Sequence, residues 1–264
     1  MKKTFLLIAD IGGYTRFMKV HRINLAHAQY VVAQLLEAVI DGAANLKLAK
    51  LEGDAAFFYA ELPKDASMEK YALRVADIRR SFLRRQDELV SARVCTCDGC
   101  VQAGELKLKF VAHVGEVAFQ KVKRHTELAG IDVIFVHRLL KNDVPSSEYV
   151  LMSDAVHELI DAPLRERAKE IEHELEGFGT SKQFWIDLVE IARELPEKVE
   201  ATLSMKIFGW LKMTLRSIPY FLGVRKACEG FRHAEGLGIL PPPMETTPSI
   251  LPPSLNRQLD EPET

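Results

Sequence analysis

Apolar positions run almost without a break from Thr4 to Ala9, and the run stops at Asp10, with Gly12-Gly13 immediately beyond. A short continuous apolar run of this kind predicts a strand buried on both faces. A carboxylate at its tip, beside glycines, marks a rim where a ligand can approach backbone. A second stretch repeats the device: Lys50-Leu51-Glu52-Gly53-Asp54 leads into Ala55-Ala56-Phe57-Phe58-Tyr59-Ala60. Strand, Gly-Asp turn and strand predict a hairpin over Leu46–Tyr59 with Asp54 at its tip. Between the two, Leu25, Ala28, Val32, Leu35 and Val39 recur at helical spacing and predict an amphipathic helix over Asn24–Ala43. Tyr71, Val75, Ile78 and Phe82 form the stripe of a second helix, Ala66–Val90. Its arginines Arg79, Arg80, Arg84 and Arg85 read as a solvated face.

Farther on, Leu106, Leu108 and Phe110 alternate with Lys107 and Lys109, and Gly115 interrupts the run. This predicts two strands joined by a turn within Leu106–Phe119. The basic run Lys121–His125 reads as solvated loop. Gly130–Lys141 is expected to be helical, with Val133, Val136 and Leu140 inward and Arg138 as its polar feature. Tyr149–Met152 reads as a strand, Ser153 as the cap of a helix over Asp154–Ile160, and Gln183–Leu188 as the last strand, after the turn Gly177-Phe178-Gly179. The order strand, helix, hairpin, helix, strand predicts an α+β sandwich over residues 1–190. Its core is a ferredoxin-like βαββαβ unit with helices on one face.

The pattern changes near Leu195. Residues 191–238 read as a helical extension, in which Val199–Ile218 is apolar at helical spacing, with Phe208, Trp210 and Leu211 among Lys206, Lys212 and Arg216. Two readings compete: packing on the main domain or a partner, and peripheral contact with a membrane surface through 199–218. Packing is the expectation, because buried helices carry the same pattern. Seven of the 12 prolines fall after Leu240, so residues 239–264 are expected to form a disordered tail.

Composition narrows the function classes. The net charge of −2 argues against bulk electrostatic binding to nucleic acid, and the 47% apolar content suffices for a full core. The N-terminal apolar run stops too soon for a secretion signal or a bilayer span, which places the chain in the cytoplasm. Four cysteines, three of them in Cys95-Thr-Cys97-Asp-Gly-Cys100, fit a reducing compartment. The CxCxxC spacing could clamp Zn²⁺ if Cys228, a histidine or Asp98 completes the set, but only one local cluster is present and free thiols are the expectation.

In a βαββαβ core the first strand and the hairpin are neighbours, so Asp10 and Asp54 are expected to converge at one edge. Two carboxylates held together repel, and a divalent cation relieves the repulsion. Oxygen donors with open water positions suit Mg²⁺ or Mn²⁺, which bridge to phosphate oxygens; two such ions are the usual machinery of phosphoryl transfer. Turn-capping by each Asp is the competing explanation.

These residues also resemble a family. Asp10-Ile-Gly-Gly13-Tyr14-Thr15 is similar to the first metal motif of the class III nucleotide cyclases, D-I-x-G-[FY]-T, and Lys50-Leu-Glu-Gly-Asp54 to their K-x-x-G-D hairpin. His113-Val-Gly115 stands where the family has H-x-G. Gly130–Leu139 resembles G-x-x-V-N-x-A-x-R-L, and Ser153–Leu159 resembles S-x-x-V-x-x-L. The order is consistent from Thr4 to Leu188, and the CxCxxC loop before a K-F-x-x-H-x-G strand resembles a divergent bacterial branch. The resemblance implies that Asp10 and Asp54 hold two Mg²⁺ or Mn²⁺ ions, with the Ile11 carbonyl. It implies that Lys50 and Glu127 read a purine, and that Arg138 stabilises the transferring phosphate. It further implies a homodimer whose shared sites convert a nucleoside triphosphate, ATP favoured, to a 3′,5′-cyclic nucleotide and pyrophosphate. Two positions depart: the family's asparagine is Ile134, and its phosphate-binding lysine is Glu176. The alternative implied is a weak or inactive nucleotide-binding or dimeric signalling module.

Overall fold

The N-terminal run lies near the middle of the sheet. The computed structural model describes residues 1–20, 25–63, 69–91 and 102–191, with positions 203, 204, 207, 208, 211, 215 and 218. Strand β1 (Lys2–Gly12) is followed by helices α1 (Tyr14–Val20) and α2 (Leu25–Gly42), the hairpin β2 (Lys47–Glu52) and β3 (Ala55–Glu61), and helix α3 (Glu69–Ser91). A short 3₁₀ turn precedes β4 (Lys107–Val122), β5 (His125–Ala129) and α4 (Ile131–Arg138). Strand β6 (Tyr149–Ser153), the single turns α5 (Asp154–His157) and α6 (Ala162–Arg165), strands β7 (Lys169–Leu175) and β8 (Gly179–Asp187), and α7 (Leu188–Ile191) complete the described domain. The 8-stranded sheet runs β2-β3-β1-β4-β6-β8-β7, with β5 hairpinned onto β4. Strands β2-β3-β1-β4 are the βαββαβ core the sequence predicts; only β4 and β6 pair in parallel.

The continuous apolar run of β1 has the expected cause, since both of its faces are covered. Phe5, Leu7, Ala9 and Ile11 pack with α1, α2 and α3, whereas Leu6 and Ile8 pack with Val133, Val136 and Leu139 of and after α4. Helices therefore lie on both faces, which corrects the one-sided sandwich. The α4 stripe is short, and only pairing with the even positions of β1 reveals which face it covers.

Three local expectations also change. Gly115 makes no turn: β4 is one 16-residue strand, and its hairpin turn falls at Lys123-Arg124 instead. A Cβ at Gly115 would overlap the Asp132 carboxyl carbon, so the glycine admits the close approach of α4. Ser153 stands at the N-cap of α5 but makes no side-chain cap bond. Its hydroxyl meets His113 Nδ1 at 2.8 Å, while His113 Nε2 meets Asp132 Oδ1 at 3.0 Å. An ionised carboxylate only accepts, so Nε2–H donates to Asp132 and the Ser153 hydroxyl donates to Nδ1. Asp132 Oδ2 also accepts the Glu116 amide at 2.7 Å, so one chain of bonds joins β6, β4 and α4. Finally, Arg79 is buried rather than solvated, 3.7 Å from Glu148, whereas Arg80 is exposed and pairs with Asp77. Helix α1 and strands β5 and β7 had no sequence expectation; β7 is mostly polar, as an edge strand tolerates.

Candidate functional site

The two acidic tips meet. Asp10 pairs in register with Ala55 of β3 on one side and with Lys109 of β4 on the other. The Ile11 amide donates to the Asp54 carbonyl at 3.2 Å, tying the hairpin turn to the end of β1. Gly53, at φ 66°, supplies the left-handed residue that this tight turn needs. The side chains of Asp10 and Asp54 come within hydrogen-bonding reach of each other. Burial first, and then the negative charge of Asp10, push the Asp54 carboxyl up from 3.8 to about 6. Tyr14, directly after the glycine pair, is also pushed up, by burial and then by the Asp54 charge.

Lys109 completes this cluster, and the sequence reading did not single it out. Its ammonium lies 2.9 Å from Asp10 Oδ2. Burial works to lower the Lys109 pKa, but the hydrogen bond and charge of Asp10, aided by Tyr149 and Asp54, outweigh it and the net shift is upward. In the sequence Lys109 is one polar member of an alternating strand. Only the cross-strand register to Asp10 picks it out, and that register belongs to the sheet.

The donor set fits a hard divalent cation. Two carboxylates share one partly buried corner, one of them is reluctant to ionise beside the other, and both present only oxygen. Among the described residues no cluster of three or more His, Cys, Asp or Glu side chains suits a metal. Two carboxylates by themselves leave most of the coordination positions of such a cation to other ligands. The Cys95, Cys97 and Cys100 loop lies outside the described residues, as do the 239–264 tail and most of 191–238.

The remaining candidates take other partners. Lys50, exposed on β2, bonds Glu52 at 2.5 Å, and Glu52 in turn lies 3.4 Å from His137 Nδ1 on α4. His137 packs edge-on against Phe57, and burial, with Lys50 adding to it against the pull of Glu52, lowers its pKa. Glu127 is exposed on β5, opposite Gln120. Arg138 Nη1 forms a 2.6 Å ion pair with Glu176, which lies just beyond β7. The two positions that depart from the cyclase pattern thus behave differently. Glu176 occupies Arg138, while Ile134 projects an apolar side chain from α4 and is half exposed.

Comparison with known proteins follows this geometry. A family model described as "Protein of unknown function (DUF2652)" matches residues 32–149. The protein of Mycobacterium tuberculosis called "Uncharacterized protein Rv2561/Rv2562" is 45% identical over 205 residues, covering 76% of this chain and 93% of that protein. Among solved structures, the catalytic core of a rhodopsin-guanylyl cyclase with converted specificity, in complex with ATPαS, superposes with a TM-score of 0.50 at 16% identity. It covers 70% of this chain and 95% of that one. An adenylate cyclase of Trypanosoma brucei matches at 0.49 and 14% identity over 70% and 89% of the two chains. The first of these similarities shows the fold, an α+β cyclase catalytic-domain architecture. The chain belongs to the family of the Mycobacterium tuberculosis protein Rv2561/Rv2562, built on the fold of the nucleotide cyclase catalytic domain.

Proposed function

We propose that this domain is a divergent nucleotide cyclase that binds a nucleoside triphosphate, ATP favoured, with Mg²⁺ or Mn²⁺ at Asp10 and Asp54. The observation that carries the reading is the convergence of those two carboxyls at one corner of a cyclase-type sheet, with Asp54 pushed up to about 6. Asp10, Asp54 and the Ile11 carbonyl would hold two ions, which supply charge neutralisation and an activated hydroxyl. The ribose 3′-oxygen would bond to the α-phosphorus as its proton leaves, and the bond from the α-phosphorus to the β-bridging oxygen would break, releasing pyrophosphate. Arg138 would stabilise the transferring phosphate and Lys50, with Glu127, the base. Each of these side chains is paired or placed at the surface in the single chain, which fits roles taken up across a homodimer. Exposed Leu48 and Leu51 on β2 and Ile131 and Ile134 on α4 offer apolar surface for such a contact.

Two observations favour a second reading, a nucleotide-binding module with little turnover. Arg138 is neutralised by Glu176, and Ile134 lacks any group to orient a ribose. Loss of two polar contacts in a transition state, at about 2 kcal/mol each, lowers a rate by about a thousandfold or more. Incubation with each of the four ribonucleoside triphosphates and Mn²⁺, scored for cyclic product and pyrophosphate, separates the two. Product formed by the wild type and lost in Asp54→Ala supports the cyclase. A rise in melting temperature with Mn²⁺ and ATP, absent in Asp54→Ala and without product, leaves the binding module. Equal shifts in both proteins exclude the site.

A further inference from the structure

The described positions of the C-terminal extension share one property. Leu203, Ile207, Phe208, Leu211, Leu215 and Ile218 are all helical and all exposed, from 41% at Ile218 to 74% at Leu203. At 3.6 residues per turn they fall within one arc of about 140°. Six large apolar side chains at helical positions thus stay exposed among the described residues. A face of that size left in water is unfavourable, and it marks a surface that meets something else.

The sequence around the stripe specifies the kind of surface. From Ala201 to Cys228 there are five basic residues, Lys206, Lys212, Arg216, Arg225 and Lys226, and no Asp or Glu, in a chain whose overall charge is −2. In the sequence Lys206, Lys212 and Arg216 are interspersed with the apolar residues, at spacings about a third of a helical turn or more from the stripe's centre. The aromatic residues of the segment include Phe208, Trp210, Tyr220 and Phe221. An apolar arc, cationic flanks, no acidic residue and interfacial aromatics together are the composition of a helix that lies in a lipid headgroup layer. A protein groove that covered the stripe would put no such demand on the charge of the flanks. Among the described residues no helix is long and apolar enough to cross a bilayer.

We infer that the stripe Leu203–Ile218 docks the protein on an anionic lipid bilayer, with its apolar side chains in the acyl boundary and its basic residues on the headgroups. The inference is independent of the nucleotide site.

Co-sedimentation of the full chain with vesicles tests it. Phosphatidylcholine vesicles containing a minority of phosphatidylserine should bind the protein at least about tenfold more strongly than phosphatidylcholine alone, since several basic residues near such a surface are attracted to it. Added salt should release it. Phe208→Glu with Leu215→Glu replaces exposed side chains, so the folded domain should melt at the same temperature while vesicle binding is lost. Lys212→Glu with Arg216→Glu should abolish the preference for anionic lipid. Equal recovery with both vesicle types, or binding that survives Phe208→Glu with Leu215→Glu, overturns the inference. So does concentration-dependent self-association that this double variant abolishes in a protein that ignores vesicles; the stripe is then a contact between proteins.

Discussion

Asp10, Asp54 and Lys109 form a charge group whose balance defines the site. With both carboxyls ionised the trio carries −1, and Lys109 supplies inside the protein part of the neutralisation a metal would supply from outside. If the proposed site is right, its ammonium and a divalent cation would therefore compete for Asp10. Lys109→Met keeps the length and removes the charge, so the metal-free protein should melt lower while Mg²⁺ affinity rises by about tenfold, the equivalent of about 1.4 kcal/mol. Calorimetric titration with Mg²⁺ alone measures this, and a fall in affinity would mean that Lys109 helps to assemble the site. The pH dependence follows from Asp54. Its folded pKa, about 6, lies above the reference 3.8, so the folded state holds a proton that the unfolded chain has released. Stability is then lost as pH rises from about 4 to about 6, and the penalty persists above it. Asp54→Asn should raise the melting temperature of the metal-free protein at pH 7.5 and leave it nearly unchanged at pH 4. Mg²⁺ affinity of the wild type should climb through pH 6 as the proton leaves.

At the scale of elements, the bonds from Ser153 through His113 to Asp132 fix α4 to β4 and β6. All three groups are committed to one another, so this is an internal brace rather than a reactive triad: Ser153 and His113 are buried. Ser153→Ala leaves His113 Nδ1 without its donor and should cost about 1–3 kcal/mol of stability. Gly115→Ala should cost at least as much, because its Cβ overlaps the Asp132 carboxyl. Urea unfolding measures both, and a neutral result for Gly115→Ala would show that α4 shifts freely. Burial lowers the His113 pKa despite its Asp132 partner. The unfolded chain therefore gains the proton first as pH falls below the ordinary 6.5, and the brace weakens on acidification. Farther along α4, the ion pair of Arg138 with Glu176 can be relieved independently. Glu176→Lys returns a positive charge to the loop after β7 and frees the guanidinium. Triphosphate affinity, read by the thermal shift with Mn²⁺ and ATP, should increase about tenfold or more; no change would place Arg138 outside the binding reaction.

The sheet is covered on both faces in one chain, so the apolar groups that remain exposed on β2 and α4 are unnecessary for folding and available for assembly. Ile134→Glu places a charge on that surface without disturbing Val133 or Val136 inside. If the site is completed by a second copy, sedimentation equilibrium should show a wild-type dimer and a folded Ile134→Glu monomer that has lost nucleotide turnover or the ATP-dependent thermal shift. A wild type that is monomeric at all concentrations, with its shift intact, would mean that one chain holds the whole site.

The sequence by itself determined the buried centre of the sheet, the hairpin with Asp54 at its tip, and the two long helices. Each of these is written in a local pattern: unbroken apolar residues, a Gly-Asp turn, or a repeat near 3.6. What only the tertiary structure decided depends on register between distant segments. Lys109 gains its meaning from lying opposite Asp10, Gly115 from the carboxyl pressed against it, Ser153 from His113 on another strand, and Arg138 from an acidic residue 38 positions away. The stripe from Leu203 to Ile218 shows the same division. Its amphipathic spacing is a property of consecutive residues, but whether anything covers it depends on where the rest of the chain lies.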